Sequence, residues 1–103
     1  MDKEELKQRI IDCLNTIFDP ELPVSIYELG LIYEIKISDD NVVQVIMTLT
    51  APSCPAAQSL PLEVDQKIRE LEGVKDVHVT VTWSPKWEKS MMSETAQLEL
   101  GFM

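Results

Sequence analysis

The stretch Leu31-Ile32-Tyr33-Glu34-Ile35-Lys36-Ile37-Ser38-Asp39-Asp40-Asn41-Val42-Val43-Gln44-Val45-Ile46-Met47-Thr48-Leu49 decides the fold. Leu31, Tyr33, Ile35 and Ile37, then Val43, Val45, Met47 and Leu49, place an apolar side chain at every second position. Successive side chains of a strand point to opposite faces, so this period reads as two half-buried strands. Glu34 and Lys36 mark the solvent side of the first strand. Asp39-Asp40-Asn41 supplies turn chemistry between the two, and so short a connection makes them an antiparallel hairpin.

Away from the hairpin the period changes. Leu6, Ile10, Cys13, Leu14 and Ile17 share one face of a helix predicted over residues 3–17. Asp19-Pro20-Glu21-Leu22-Pro23 stops that helix, because proline lacks an amide hydrogen and restricts the residue before it. Ser25 to Leu29 reads as a short turn ended by Gly30. Downstream, Ala57, Leu60, Val64, Ile68 and Leu71 give the buried face of a second helix, with Gly73 as its stop. Pro61 implies either a kink in that helix or a regular part that begins near Ser59. Val77, Val79, Val81 and Trp83 alternate with His78, Thr80 and Thr82 as a third strand, and a last helix runs from Ser93 to about Leu100.

The predicted order is α-β-β-α-β-α: one domain over residues 1–103, an α+β sandwich with helices mainly on one face of a small mixed sheet. The second strand, its helix and the third strand form a βαβ unit, whose strands run parallel through a right-handed crossover. The carboxyl ends of strands two and three then share one edge of the sheet with the start of strand one. This brings together Asp19–Gly30, the loop around Cys54 and the Trp83–Trp87 loop, at the end where open sheets form their ligand sites.

The charge narrows the function. Apolar residues make up 45% of the chain, enough for a core, but 18 acidic residues against 9 basic give −9 at pH 7. Nucleic-acid binding relies on Lys and Arg displacing counterions, and anionic membranes repel the same sign, so neither is an expected partner. No stretch approaches the ~20 apolar residues of a membrane span. The start, Met1-Asp2-Lys3-Glu4-Glu5, is unlike a secretory signal, and two cysteines make no disulfide framework. A cytoplasmic location with both thiols reduced is the expectation.

Cys54, in Thr50-Ala51-Pro52-Ser53-Cys54-Pro55, lies between a strand and a helix start. Amide hydrogens at a helix N-terminus stabilise a thiolate, the form that binds metal or attacks as a nucleophile. The bland reading is a small buried residue; the flanking prolines favour a fixed, exposed loop. Cys13, inside an apolar stripe, reads as core. The lone histidine, His78, falls on the polar face in mid-strand, away from Cys54, which argues against a cysteine–histidine enzyme. With two cysteines, one histidine and no CxxC pair, the chain cannot close a four-ligand metal or cluster site alone. Remaining ligands would come from another subunit, a partner, glutathione, or the carboxylates of Asp19 and Glu21. Thr48 and Thr50 alternate onto the polar face of strand two, with Thr50 placed to bond within the cysteine loop. Trp83 reads as a cap continuing the apolar face of its strand, and Trp87 as an exposed loop anchor for a partner. Met91 and Met92 fit either that surface or the core.

Three ordered blocks then resemble one family. Asp19-Pro20-Glu21-Leu22-Pro23-Val24-Ser25-Ile26-Tyr27-Glu28-Leu29-Gly30-Leu31-Ile32-Tyr33, Thr48-Leu49-Thr50-Ala51-Pro52-Ser53-Cys54-Pro55, and Trp83–Trp87 with Met92-Ser93-Glu94 are similar to the iron–sulfur cluster assembly domain family, formerly a domain of unknown function. The resemblance spans about residues 3–102 and is nearest to the SufT-like, SUF-associated members; eukaryotic cytosolic iron–sulfur targeting factors and PaaD are more distant. It implies an accessory role in iron–sulfur protein maturation, without a catalysed reaction or a permanently bound cofactor. In that role Cys54 transiently meets iron or a cluster, Asp19, Glu21, Thr50 and Ser53 support it, and Trp83, Trp87, Met92 and Glu94 face assembly proteins or apo clients. A homodimer is compatible with it. The alternatives are an interaction module without metal, or a PaaD-like oxygenase component. Ending at Met103, without the cysteine-containing extension of PaaD-type members, favours the SUF-associated reading.

Overall fold

The computed structural model describes residues 2–18, 24–49 and 56–101. Helix α1, Lys3–Leu14, opens on Asp2, whose carboxylate accepts the amides of Glu4 at 2.7 Å and Glu5 at 3.4 Å. That cap satisfies amides the first turn leaves unpaired, and Glu4 and Glu5 suit the positive end of the helix dipole. The helix ends three residues before the predicted boundary of residue 17. Asn15 Nδ2 and Thr16 Oγ1 donate back to the carbonyls of Ile11 and Cys13, which closes the last turn. Ile17 is nevertheless fully buried, and its carbonyl takes the amide of Ile26 at 2.8 Å.

Strands β1, Ile32–Ile37, and β2, Val42–Met47, form the predicted antiparallel hairpin, with Asn41 at φ 61° in the turn. Asparagine tolerates this left-handed conformation better than most residues. Ile32 faces Met47 while Glu34 faces Ile46, so Tyr33 is the extra residue of a bulge. Strand β3, Asp76–Val81, lies parallel to β2, from Val42↔Asp76 to Met47↔Val81, and the strand order is β1-β2-β3. Between them helix α2, Ala56–Arg69, contains Pro61 and still runs unbroken. As the sixth residue Pro61 lies past the first turn, so the helix carries it at the loss of one backbone hydrogen bond. Gly73 ends the segment at φ 93°. Helix α3, Glu94–Glu99, is capped by Ser93, whose hydroxyl accepts the Ala96 amide.

The α+β order read from the sequence is the observed one. Helix α1 packs on β1 and α2 on β3. Leu6, Ile10 and Leu14 from α1, Val43, Val45 and Met47 from β2, and Leu60, Val64 and Ile68 from α2 close one core. Each such side chain contributes about 1.5–3 kcal/mol by leaving water. Core-facing Ala57 was also predicted; its side chain lies outside the described residues. The opposite sheet face carries Glu34, Lys36, Gln44 and His78, all exposed. Two readings of polarity change. Thr48 is not on a solvated face: it is completely buried, with its hydroxyl unpaired among the described residues. Strand β3 stops at Val81, two residues short of Trp83, because Thr82 turns the chain: its hydroxyl accepts the Ser84 amide at 3.3 Å.

Candidate functional site at the strand ends

The end of the sheet that holds the start of β1 and the exits of β2 and β3 is tied together by backbone. Thr48 N–H donates to the Leu31 carbonyl at 2.8 Å, and Thr82 N–H to that of Met47 at 2.8 Å. Residues 24–30 fold over it as a compact turn. Leu29 N–H bonds to Ser25 O at 3.0 Å and Leu31 N–H to Ile26 O at 3.1 Å, with Ile26 and Leu29 fully buried as its anchors. The Ser25 hydroxyl, itself buried, donates to Asn15 Oδ1 at 2.8 Å and accepts the Glu28 amide at 3.2 Å.

The segment after β3 is clamped onto this turn. Trp87 Nε1 donates to the Leu29 carbonyl at 2.7 Å, and the Tyr33 hydroxyl to the Pro85 carbonyl at 2.8 Å. Ser93 binds Glu28 twice, its amide to the backbone carbonyl at 2.8 Å and its hydroxyl to the carboxylate. Gly30, at φ 79°, lies so close beneath Met91 that a Cβ there would meet the Met91 carbonyl oxygen at 2.2 Å. Of the three segments predicted to converge, the described part of the first, residues 24–30, therefore meets the Trp83–Trp87 segment. The third, residues 50–55, leaves from buried Leu49 at this same end and is followed by α2. Cys54, Thr50 and Ser53, together with Asp19 and Glu21, lie outside the described residues.

The two tryptophans exchange the roles expected of them. Trp83 is 46% exposed, because β3 has already ended, whereas Trp87 packs against the core with its indole hydrogen satisfied. Met92 is a correction too: at 4% exposure it belongs to the core and offers no surface to a partner. Glu94 is exposed in the first turn of α3, where the helix dipole favours a carboxylate. Sequence reasoning passed over Tyr33, Glu28 and Ser93 as links. The available signals were a tyrosine at the start of an otherwise aliphatic alternation and a serine placed to cap α3.

The other chemistry-bearing groups stay apart. Cys13 is half-buried against the core, and burial pushes its thiol above the ordinary value, partly opposed by Lys67. A thiol held protonated is a poor ligand or nucleophile. His78 stands exposed on the open sheet face, 3.6 Å from Asp76. Among the described residues no three His, Cys, Asp or Glu side chains gather into a metal site, and no helix is long and apolar enough to cross a membrane.

A small α+β domain with a cross-linked strand end bordering a cysteine segment is the class these observations define. The chain belongs to the iron-sulfur cluster assembly protein family, whose model matches residues 7–81. It is 48% identical over 99 residues to a Porphyromonas gingivalis Fe-S protein maturation auxiliary factor, covering 96% of this chain and 94% of that one. It is 39% identical over 85 residues to the Staphylococcus aureus Fe-S protein maturation auxiliary factor SufT, covering 82% and 97%. A domain of unknown function, DUF59, from Bacillus anthracis superposes with a TM-score of 0.89 at 32% identity, covering 97% of this chain and 95% of that one.

Proposed function

We propose that this chain is a cytoplasmic accessory factor in iron–sulfur protein maturation, handling iron or a cluster as cargo through Cys54 and catalysing no reaction of its own. Membership of the assembly family over residues 7–81, with auxiliary maturation factors among its full-length relatives, carries this reading. The geometry supports it. Tyr33, Trp87, Gly30 and Ser93 link the segments at one end of the sheet, and in sequence residues 50–55 join the exit of β2 at that end to the start of α2. The amides at a helix start favour a thiolate over a thiol, and a thiolate is what ligates iron.

One thiol is a fraction of a cluster's usual four. The cargo therefore arrives with, or acquires, further ligands from an assembly protein, an apo client or a small thiol. An incomplete ligand set favours transfer over storage. Asp19, Glu21, Thr50 and Ser53 are proposed to support the thiol, and exposed Trp83 and Glu94 to meet the partner. The test is anaerobic reconstitution with iron and sulfide, and maturation of an apo iron–sulfur protein, for wild type and Cys54→Ala. Wild type should show sulfur-to-iron absorbance and speed maturation, and the variant should do neither. Equal behaviour of the two would sink the assignment to Cys54.

A further inference from the structure

Among the described residues the outer edge of β1 has no strand beside it, since β1 ends the β1-β2-β3 order. Such an edge presents unpaired amides and carbonyls, a template for another strand. The ladder fixes which groups these are. Ser38 N–H donates to Val42 O at 3.0 Å, so even-numbered residues turn their backbone toward β2, and Ile35 and Ile37 turn theirs outward. Beside this edge runs a groove of about 320 Å³ between Lys7 and Ile11 of α1 and Ile32, Tyr33 and Ile35 of β1. It continues as a further 160 Å³ past Lys3, Glu4 and Ile37. Ile35 and Ile37 are only partly buried in it.

We infer that this edge pairs with the same edge of a second copy, antiparallel across a two-fold axis at Ile35. The register follows from charge. With Ile35 opposite Ile35 of the second copy, each Glu34 faces a Lys36. These are the non-hydrogen-bonded pairs, in which opposed side chains come closest. Moving the axis by one residue, which slips the register by two, sets Glu34 against Glu34 or Lys36 against Lys36. Within one chain Lys36 Nζ already lies 3.7 Å from Glu34 Oε1, both about half exposed, so the two copies would assemble a patch of four alternating charges. The isoleucines that line the groove would meet across the axis and leave water. The helical bank of the groove carries both signs, in Lys3, Glu4 and Lys7, so the symmetry does not force like charges together there.

The pairing has a consequence for the site. Antiparallel β1 strands send the two site ends to opposite ends of the joined sheet, so the two copies of Leu49 stand on opposite sides of the axis.

Light scattering across a concentration series at physiological salt tests the inference, with Glu34→Lys, Lys36→Glu and their equimolar mixture. Wild type should dimerise as concentration rises. Each variant opposes like charges twice across the axis and should dissociate with a constant raised roughly tenfold or more. The mixture restores opposite charges at both positions and should recover the dimer. Circular dichroism checks that both variants fold, and hydrogen exchange should show the Ile35 and Ile37 amides protected only in the dimer. A wild type that stays monomeric throughout overturns the inference, including one whose β1 amides are protected only by an added client peptide. Variants that dimerise like wild type, or a mixture that does not recover, overturn it equally.

Discussion

The two ends of the sheet are built in opposite ways. At the hairpin end the chain closes mainly through a backbone turn: Asn41 N–H returns to Ser38 O at 3.0 Å and Ser38 Oγ takes the Val42 amide at 3.1 Å, with one backbone bond, Lys75 N–H to Asn41 O at 2.9 Å, tying in the approach to β3. Arg69, Asp65 and Asp76 add exposed ion pairs there. At the other end, residues more than fifty positions apart hold each other, as Tyr33 does Pro85 and Trp87 does Leu29. Local turns suffice to reverse a strand. Distant links through half-buried side chains are needed only where separate loops must keep fixed positions, which is the requirement of a site. The contrast predicts that substitutions at the two ends will differ in both size and kind of effect.

Gly30→Ala should have the largest effect. A left-handed backbone costs a residue with a Cβ about 1–2 kcal/mol, and forcing that atom against the Met91 carbonyl adds about as much again. Thermal unfolding should show a loss of roughly 3 kcal/mol, or roughly 10–20 °C in Tm for a domain of this size. An effect below about 1 kcal/mol would mean that the clamp over the turn yields easily. Trp87→Phe comes next. The ring can still pack, but the Leu29 carbonyl loses its donor, which should cost about 1–2 kcal/mol in urea denaturation. Trp83→Phe, on an exposed side chain, should stay within about 0.5 kcal/mol. Equal losses at the two tryptophans would erase the distinction between scaffold and surface.

The same contrast explains what the sequence made legible. Periodicity reports burial of one face by the bulk of the fold, so the hairpin, the parallel crossover and both long helices could be read from Val43, Val45, Met47, Leu60, Val64 and Ile68. The convergence of the strand ends followed from topology alone. What failed were single residues at that end. Trp83 continues the alternation of Val77, Val79 and Val81 in sequence, yet the backbone turns at Thr82 before the pattern can apply. Thr48 alternates onto the polar face, yet it lies just past the end of β2 and is fully buried, so alternation no longer means solvent there. Met92 and Trp87 are buried by contacts with residues far away in sequence, which no local pattern encodes. Cys54 was singled out through chemistry and through the resemblance of its flanking block, not through any period, and it lies outside the described residues.

The smallest expected effect belongs to the hairpin end and depends on pH. Arg69 donates to the Asp76 carboxylate at 2.6 Å and, with the Val77 amide at 2.9 Å, holds that carboxyl below its ordinary value of 3.8. A carboxyl whose value is lowered by folding binds its proton more weakly in the native state than in the unfolded one. Its contribution to stability is therefore complete above about pH 4 and fades as acid titrates through the lowered native value. Both partners are exposed, so water and salt screen most of the attraction. Asp76→Asn should consequently lower the urea midpoint slightly at neutral pH, by less in high salt, and the gap from wild type should close in acid. The strand-end links through Trp87 and Tyr33 involve no charge, so the deficit of Trp87→Phe should hold steady over the same range. A Trp87→Phe deficit that vanished in acid along with that of Asp76→Asn would mean that charged groups, rather than the neutral hydrogen bonds, hold the strand end together.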